Sequence, residues 1–348
     1  MITDAQWRKA GQRLQTWRRT MILTHERPDG DALGAAGAIK RVIDAAGRHA
    51  EVLVFGQVPP RYGFLVESCG LGSWKNETPA DLDARFDGIL ILDTSNWSQI
   101  EPALAYLRST ALPRIVIDHH VTSNELFGRN AELLTLVDPA AASTCGMVWR
   151  LCELLGWSID AAAGQALFTG LITDTGWFRF SNTDPETFRA ATALLNHGAR
   201  PETLYARLYE SWSPARLRIK AELLQSLELL EQQRIAVATL PREAFVRAGA
   251  THADTEELVN ESMSIATVII SVLLSEMSDG RIRVNLRSKP PAVCGLDVDV
   301  AALAQTLGGG GHRRAAGARM PGPLDKTRAA VIDAAVRALS RTSPSSNG

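Results

Sequence analysis

The chain has 348 residues, enough for two domains with separate cores, and its 45% hydrophobic and 22% charged residues are ordinary for a globular protein. A formal charge of −1 excludes the broad electropositive surface that grips long nucleic acid non-specifically, so any anionic ligand must be held by a local cluster. Cys69, Cys145, Cys152 and Cys294 form no C-x-x-C pair, no apolar run reaches the about 18 residues of a membrane span, and the N-terminal segment lacks a signal-peptide core, so a reducing, cytoplasmic setting away from membranes is expected.

In chain order, residues 1–19 pattern as an amphipathic helix, and MILT (21–24) is a short strand followed by a helix over 31–46. EVLVF (51–55) is a second strand, with a loop and a helix after it. GILIL (88–92) precedes a helix over 98–108, RIVI (114–117) and LLTLV (133–137) precede one over 143–155, and two further helices span 161–173 and 185–196. Strands alternating with helices predict an α/β domain over 1–197, a mainly parallel sheet flanked by helices. Residues 198–232 read as a charged helical linker. Beyond it RIAVATL (234–240), TVIISVLLSEM (267–277) and RIRVNLRS (281–288) are strands, the last two joined through the hairpin turn Ser278-Asp279-Gly280. A helix over 300–307, the block GGGGHRRAAG (308–317) and a helix over 325–338 complete a smaller C-terminal α/β domain over 233–341, and 342–348 is expected to be a disordered tail.

The candidate chemistry falls where the first strands end, which is where ligands bind in an open α/β sheet. MILT leads to His25, Asp29 and Asp31, GILIL to Asp93, and RIVI to Asp118, His119 and His120, while Asp174 follows the apolar stretch ALFTGLIT. Carboxylates so placed repel one another unless something positive lies between them. Oxygen-rich sites with some imidazole and no thiolate suit manganese or magnesium better than structural zinc. Asp29, Asp31, Asp93 and Asp174 with His25 and His119 exceed the needs of one ion and fit a pair sharing a carboxylate, roughly 3.5–4 Å apart. Asp29-x-Asp31 does not start an EF-hand, because Leu33 and Lys40 stand where a ligand and a bidentate glutamate belong. Singly, Asp31, Asp93 and Asp174 also suit caps or turns, and His119 a satisfied core histidine. Their coincidence at one sheet edge carries the metal reading. In the second domain Gly308 to Gly311 lets backbone N–H groups converge on an anion, and no G-K-[ST] follows as in a P-loop.

With these blocks in place, the sequence resembles the DHH phosphoesterases. Asp118-His119-His120 matches the family's signature; H-x-x-x-D-x-D at His25, Asp29 and Asp31 resembles its first motif, LDTSN at Asp93 its second and TGLITDTGWFRFSNT around Asp174 its fourth. VNLRSK and GGGGHRRAAG resemble the DHH-associated C-terminal domain. Within the family the chain is most similar to the nano-RNase type, which implies hydrolysis of very short oligoribonucleotides and of 3′-phosphoadenosine 5′-phosphate, with two divalent ions, manganese first and magnesium or cobalt as substitutes. The resemblance implies that His25 and Asp29 hold one ion, Asp31, His119 and Asp174 the other, and that Asp93 bridges them. It assigns His120 to the phosphate as charge stabiliser or proton donor and Asp118 to orienting a histidine. It assigns substrate binding to Arg287, Ser288, Gly310, Gly311 and His312, the last preferred to Arg313 and Arg314, in a C-terminal domain that closes over the metal domain. Departures fall at Ala35-Ala36, where many relatives carry Gly-Ser, at Trp97-Ser98-Gln99, where an arginine is common, and at Gly146, where a glutamate is common. A soluble enzyme cleaving linear or cyclic dinucleotides and a catalytically dead nucleotide-binding regulator are the alternatives. Apolar helices are compatible with a homodimer.

Overall fold

The computed structural model describes residues 2–75, 78–120 and 132–341, the side chain of His312 excepted; the expected tail lies outside them. The chain forms two compact units, Met1–Ser211 and Trp212–Gly348.

The first unit runs α1 (Asp4–Thr16), β1 (Arg19–Leu23), α2 (Gly30–Ala45), β2 (His49–Val54), α3 (Gly63–Cys69), β3 (Gly72–Ser73), α4 (Pro79–Arg85), β4 (Gly88–Leu92), α5 (Leu104–Ser109), β5 (Arg114–Asp118), β6 (Leu133–Val137), α6 (Thr144–Leu155), α7 (Ala161–Asp174), α8 (Pro185–Asn196) and α9 (Pro201–Tyr209). The expected parallel sheet is present, in the order β3-β2-β1-β4-β5-β6. Every residue of β4 and β5 is buried, the pattern of strands covered on both faces. Successive side chains divide between those faces. Ile22, Leu90, Leu92, Ile115 and Ile117 pack with residues of α2, α6 and α7, whereas Met21, Leu23, Ile89, Ile91 and Val116 pack with Leu82, Phe86, Tyr106 and Leu107. Asp29, Ser143, Asp160 and Asp184 start α2, α6, α7 and α8 by accepting first-turn N–H groups. The helix expected over 98–108 is broken. Two 3₁₀ turns, Trp97–Gln99 and Glu101–Ala103, precede a short α5, because Pro102 lacks an N–H and disfavours helical backbone at Glu101.

The second unit runs α10 (Pro214–Gln225), β7 (Glu228–Leu230), β8 (Ile235–Leu240), α11 (Arg242–Ala248), β9 (Ile270–Glu276), β10 (Ile282–Ser288), α12 (Pro291–Cys294), α13 (Val300–Thr306), β11 (Gly310–His312), β12 (Ala315–Met320) and α14 (Leu324–Ser340). Within the segment read as a linker, α9 belongs to the first unit and α10 to the second, and their apolar positions Leu204, Leu208, Ile219 and Leu223 are buried. The sheet order is β11-β12-β10-β9-β8-β7, antiparallel except for the β8–β9 pair. The β9–β10 hairpin closes where expected, with Gly280 at φ 78°. Part of the glycine run is a strand. Gly310 to His312 form an edge strand paired with β12, and a Cβ on Gly311 would lie 2.6 Å from the Ala316 Cα.

Candidate metal centre

Between β1 and β4 the strand order changes direction, the switch point beyond whose carboxyl ends open α/β sheets bind ligands. β1 ends at Leu23 and the loop after it carries His25 and Asp29 up to the start of α2, β4 runs directly into Asp93, and β5 ends on Asp118 and is followed by His119 and His120. The remaining carboxylate, Asp174, is the last residue of α7.

The helix cap falls to Asp29, whose Oδ1 accepts the N–H groups of Asp31 (3.0 Å) and Ala32 (3.1 Å). Asp31 is thereby free of that duty. It is fully buried, and its two oxygens accept the N–H groups of Thr144 (2.6 Å) and Cys145 (2.8 Å) at the start of α6, where the helix dipole favours a negative charge. Asp93 is buried in a left-handed conformation (φ 61°), and its Oδ1 accepts from the Thr144 hydroxyl (2.9 Å). Around these carboxylates stand three imidazoles. His25 Nε2 lies 3.4 Å from Asp93 Oδ2; His119 Nε2 lies 3.0 Å from Asp174 Oδ2, 3.5 Å from Asp93 Oδ1 and 3.7 Å from Asp31 Oδ2. His120 is fixed from behind, its Nδ1 2.8 Å from Asp118 Oδ1, and Asp118 accepts in turn from the Ser95 hydroxyl.

Burial dominates the electrostatics. It pushes the Asp31 carboxyl up to about 7, with the charge of Asp174 adding to it, and it raises Asp93 well above the usual carboxylate range, helped by Asp31, Asp29 and Asp174. Burial lowers His25. It acts the same way on His119, but the carboxylates of Asp174 and Asp31 outweigh it and take that imidazole up to about 9. Asp118 goes the other way: burial alone would raise it, and its bonds from His120 and Ser95 hold it below its ordinary value. Protons on His119 and on the buried acids thus stand where cations would relieve the same repulsion.

The donor set fits divalent cations. His119 Nε2 is buried and makes no well-aligned hydrogen bond, although three carboxylates surround it, while Nδ1 lies 3.3 Å from the Ala141 carbonyl. With Nδ1 toward Ala141, Nε2 is the nitrogen that faces the cluster and would ligate once its proton is displaced, as in metal-ligating histidines. Ligand atoms of His25, Asp29 and Asp93 converge within 4.8 Å of one another, as do those of Asp31, His119 and Asp174, and those of Asp93, His119 and His120. Two of these triplets divide the six expected ligands without overlap, apart from an Asp93 carboxylate whose two oxygens face different histidines.

Because cations must displace those protons, their affinity is expected to rise between pH 6 and 9 with net proton release. The folded-state values of Asp31 and His119 lie above their unfolded values, so the cation-free fold binds more protons than the unfolded chain and loses stability as pH rises through that window. The gain in Tm on adding Mn²⁺ should therefore be larger at pH 9 than at pH 6. Melting curves at both values, with Mn²⁺ and with EDTA, check this.

Thr144, Ser95 and Ala141 support the ligands and were not singled out in the sequence; a hydroxyl or a carbonyl of this kind has no signature there beyond the helix start at Ser143. Gly170 is another. A Cβ there would collide with Cys145 Sγ and lie 2.6 Å from Asp31 Oδ1.

In the second unit, Arg287 is half-buried, which lowers its pKa, and its Nε donates to Asn260 Oδ1 (3.1 Å). Ser288 is buried and its hydroxyl donates to the Val298 carbonyl (2.8 Å). Arg287 and His312 are both registered opposite Ala315, one strand apart from each other. Arg313 and Arg314 are occupied by Asp297.

Comparison with known proteins gives a consistent picture. Residues 19–171 match the model of the DHH family, N-terminal domain, and residues 232–341 match the DHHA1 domain. The chain is 32% identical over 324 residues to the bifunctional oligoribonuclease and PAP phosphatase NrnA of Thermus thermophilus, covering 92% of this chain and 90% of that protein. The protein of the same name from Bacillus subtilis is 28% identical over 305 residues, 86% of this chain and 88% of that one. An exopolyphosphatase-related protein from Bacteroides fragilis shares the fold, with a TM-score of 0.86, 24% identity and coverage of 98% and 97% of the two chains.

Proposed function

The chain belongs to the DHH family, and from that premise we propose that it is a metal-dependent phosphoester hydrolase acting on short oligoribonucleotides and on 3′-phosphoadenosine 5′-phosphate. The observation that carries the metal-dependent reading is the partition of six buried or half-buried ligands into two triplets joined through Asp93. The substrate reading is supported by the names of the two bacterial relatives, each matched over most of its length.

In this reading His25, Asp29 and Asp93 would hold one divalent cation and Asp31, His119 and Asp174 the other, with Asp93 placed to serve both; oxygen donors with imidazole favour Mn²⁺. When bound, such cations polarise the phosphoryl group and lower the pKa of water. The chain's own residues do the rest. Thr144 and Cys145 fix Asp31, and Thr144 fixes Asp93, so the carboxylates keep their geometry without reorganising during the reaction. His120, part exposed and favoured in its protonated form by Asp118, presents a proton beside the cluster for the leaving oxygen. Ser95 keeps Asp118 ionised and aimed at His120.

Arg287, Gly310, Gly311 and His312 are the candidate holders of the substrate's nucleotide. Ser288, whose hydroxyl donates to the Val298 carbonyl, is proposed with them. Replacing Arg287 with alanine is expected to raise KM for a diribonucleotide about tenfold, the weight of roughly one charge-assisted bond, with metal content unchanged; an unaltered KM would remove Arg287 from the site. Unpaired cysteines, three of them buried, are in keeping with a cytoplasmic location. Among the described residues no helix is long and apolar enough to cross a membrane.

The test is a panel in Mn²⁺: a diribonucleotide, 3′-phosphoadenosine 5′-phosphate, pyrophosphate and a cyclic dinucleotide. Turnover of the first two that EDTA abolishes is the expected result. Preference for pyrophosphate would overturn the substrate assignment, and binding without turnover of any would make the protein a regulator.

A further inference from the structure

We propose that Phe180 and Arg179 form a stacking platform for a nucleobase of the substrate whose phosphate lies at the metal centre, an inference that rests on the hydrolase reading above. The chain leaves the ligand Asp174 through three successive left-handed residues, Gly176, Trp177 and Phe178, at φ 54°, 59° and 63°. That backbone is disfavoured for any residue with a Cβ and persists only where its surroundings over-determine it. Here two aromatic clamps do so. Trp177 lies against Tyr205 and Tyr209, with ring centroids 5.4 and 6.2 Å away, and Phe178 against Phe168 and Phe188, at 6.3 and 5.2 Å. The turn is closed at both ends. The N–H groups of Arg179 and Phe180 donate to the Thr175 carbonyl (2.9 and 3.0 Å), and Asn182 Nδ2 donates to the carbonyls of Asp174 (3.2 Å) and Ala142 (3.0 Å).

This rigid turn holds two side chains against itself and leaves both exposed. Phe180 is 54% exposed, and its ring rests over Gly176, where a Cβ would come within 2.6 Å of Cε1 and Cε2. Arg179 is exposed, its Nε donates to the Gly176 carbonyl (2.7 Å), and among the described residues its terminal nitrogens have no acceptor. An exposed phenyl ring next in sequence to a guanidinium whose terminal nitrogens have no acceptor among the described residues suits an unstacked base joined to a phosphodiester, one group taking the ring and the other the anionic backbone. A second copy of the chain suits it less, since docking there would bury an unpaired cation.

The experiment measures KM for a diadenylate and for its abasic analogue with wild-type protein, Phe180→Ala and Phe180→Trp. Stacking predicts that wild type favours the diadenylate over the abasic analogue, that Phe180→Ala shrinks this preference about 5- to 150-fold, and that Phe180→Trp restores it. Equal penalties on both substrates would make Phe180 structural and overturn the proposal, as would an unaltered preference. A variant with unaltered kinetics but a changed oligomeric mass would assign the patch to contact between copies. Wild-type protein that cleaves neither oligonucleotide would instead fail the hydrolase reading itself.

Discussion

Replacing Asp93 with alanine is expected to abolish tight binding of both cations and to lower kcat/KM by far more than the about 10- to 100-fold typical of residues that only hold a metal ligand in place. Asp93 faces His25 through one oxygen and His119 through the other, so no neighbour can substitute for it. The same variant should not unfold. Without cations the Asp93 carboxyl is a liability, desolvated and repelled by Asp31, Asp29 and Asp174, so its removal should leave Tm in EDTA equal to wild type or higher. Metal content after desalting, kcat/KM in Mn²⁺ and Tm in EDTA together separate loss of the site from loss of the fold. Retention of one cation with half-maximal activity would show that the two triplets act independently.

Gly170→Ala carries the second large effect, through packing rather than charge. Helix α7 approaches α2 and α6 so closely at this point that the added methyl would meet Cys145 Sγ and the Asp31 carboxylate. Overpacking of this kind costs about 1–3 kcal/mol. Because the atom displaced is Asp31, the expected result is a lowered Tm together with weakened cation binding. Gly146→Ala is the control, since its Cβ would meet only Ser143 Oγ at 3.4 Å and Leu171 Cδ1 at 3.7 Å. Thermal melts and Mn²⁺ titrations of the two variants check the pair.

The ligands were legible because parallel strands buried on both faces read as unbroken apolar runs, and a carboxylate directly after such a run stands out. Asp93 after GILIL and Asp118-His119-His120 after RIVI are of this kind, and α7 likewise ends on Asp174. What holds those ligands was not legible. Asp31 depends on two backbone N–H groups of α6, more than 110 residues away in sequence, and any residue but proline at 144 and 145 would supply those N–H groups. The left-handed turn at 176–178 contains two bulky residues that no local propensity would place there; it follows from tertiary clamps on Trp177 and Phe178. Four glycines permit almost any backbone, so nothing local to the run announces the strand that its close approach to β12 makes of Gly310 to His312. Arg313 and Arg314, ranked below His312 in sequence, both bond to Asp297, some 16 residues away, a pairing that no local pattern announces.

A crystal grown with Mn²⁺ and measured for anomalous scattering tests the metal centre most directly. Two peaks roughly 3.5–4 Å apart, one among His25, Asp29 and Asp93 and the other among Asp31, His119 and Asp174, are the expected result. A single peak, or manganese bound away from Asp93, would contradict it.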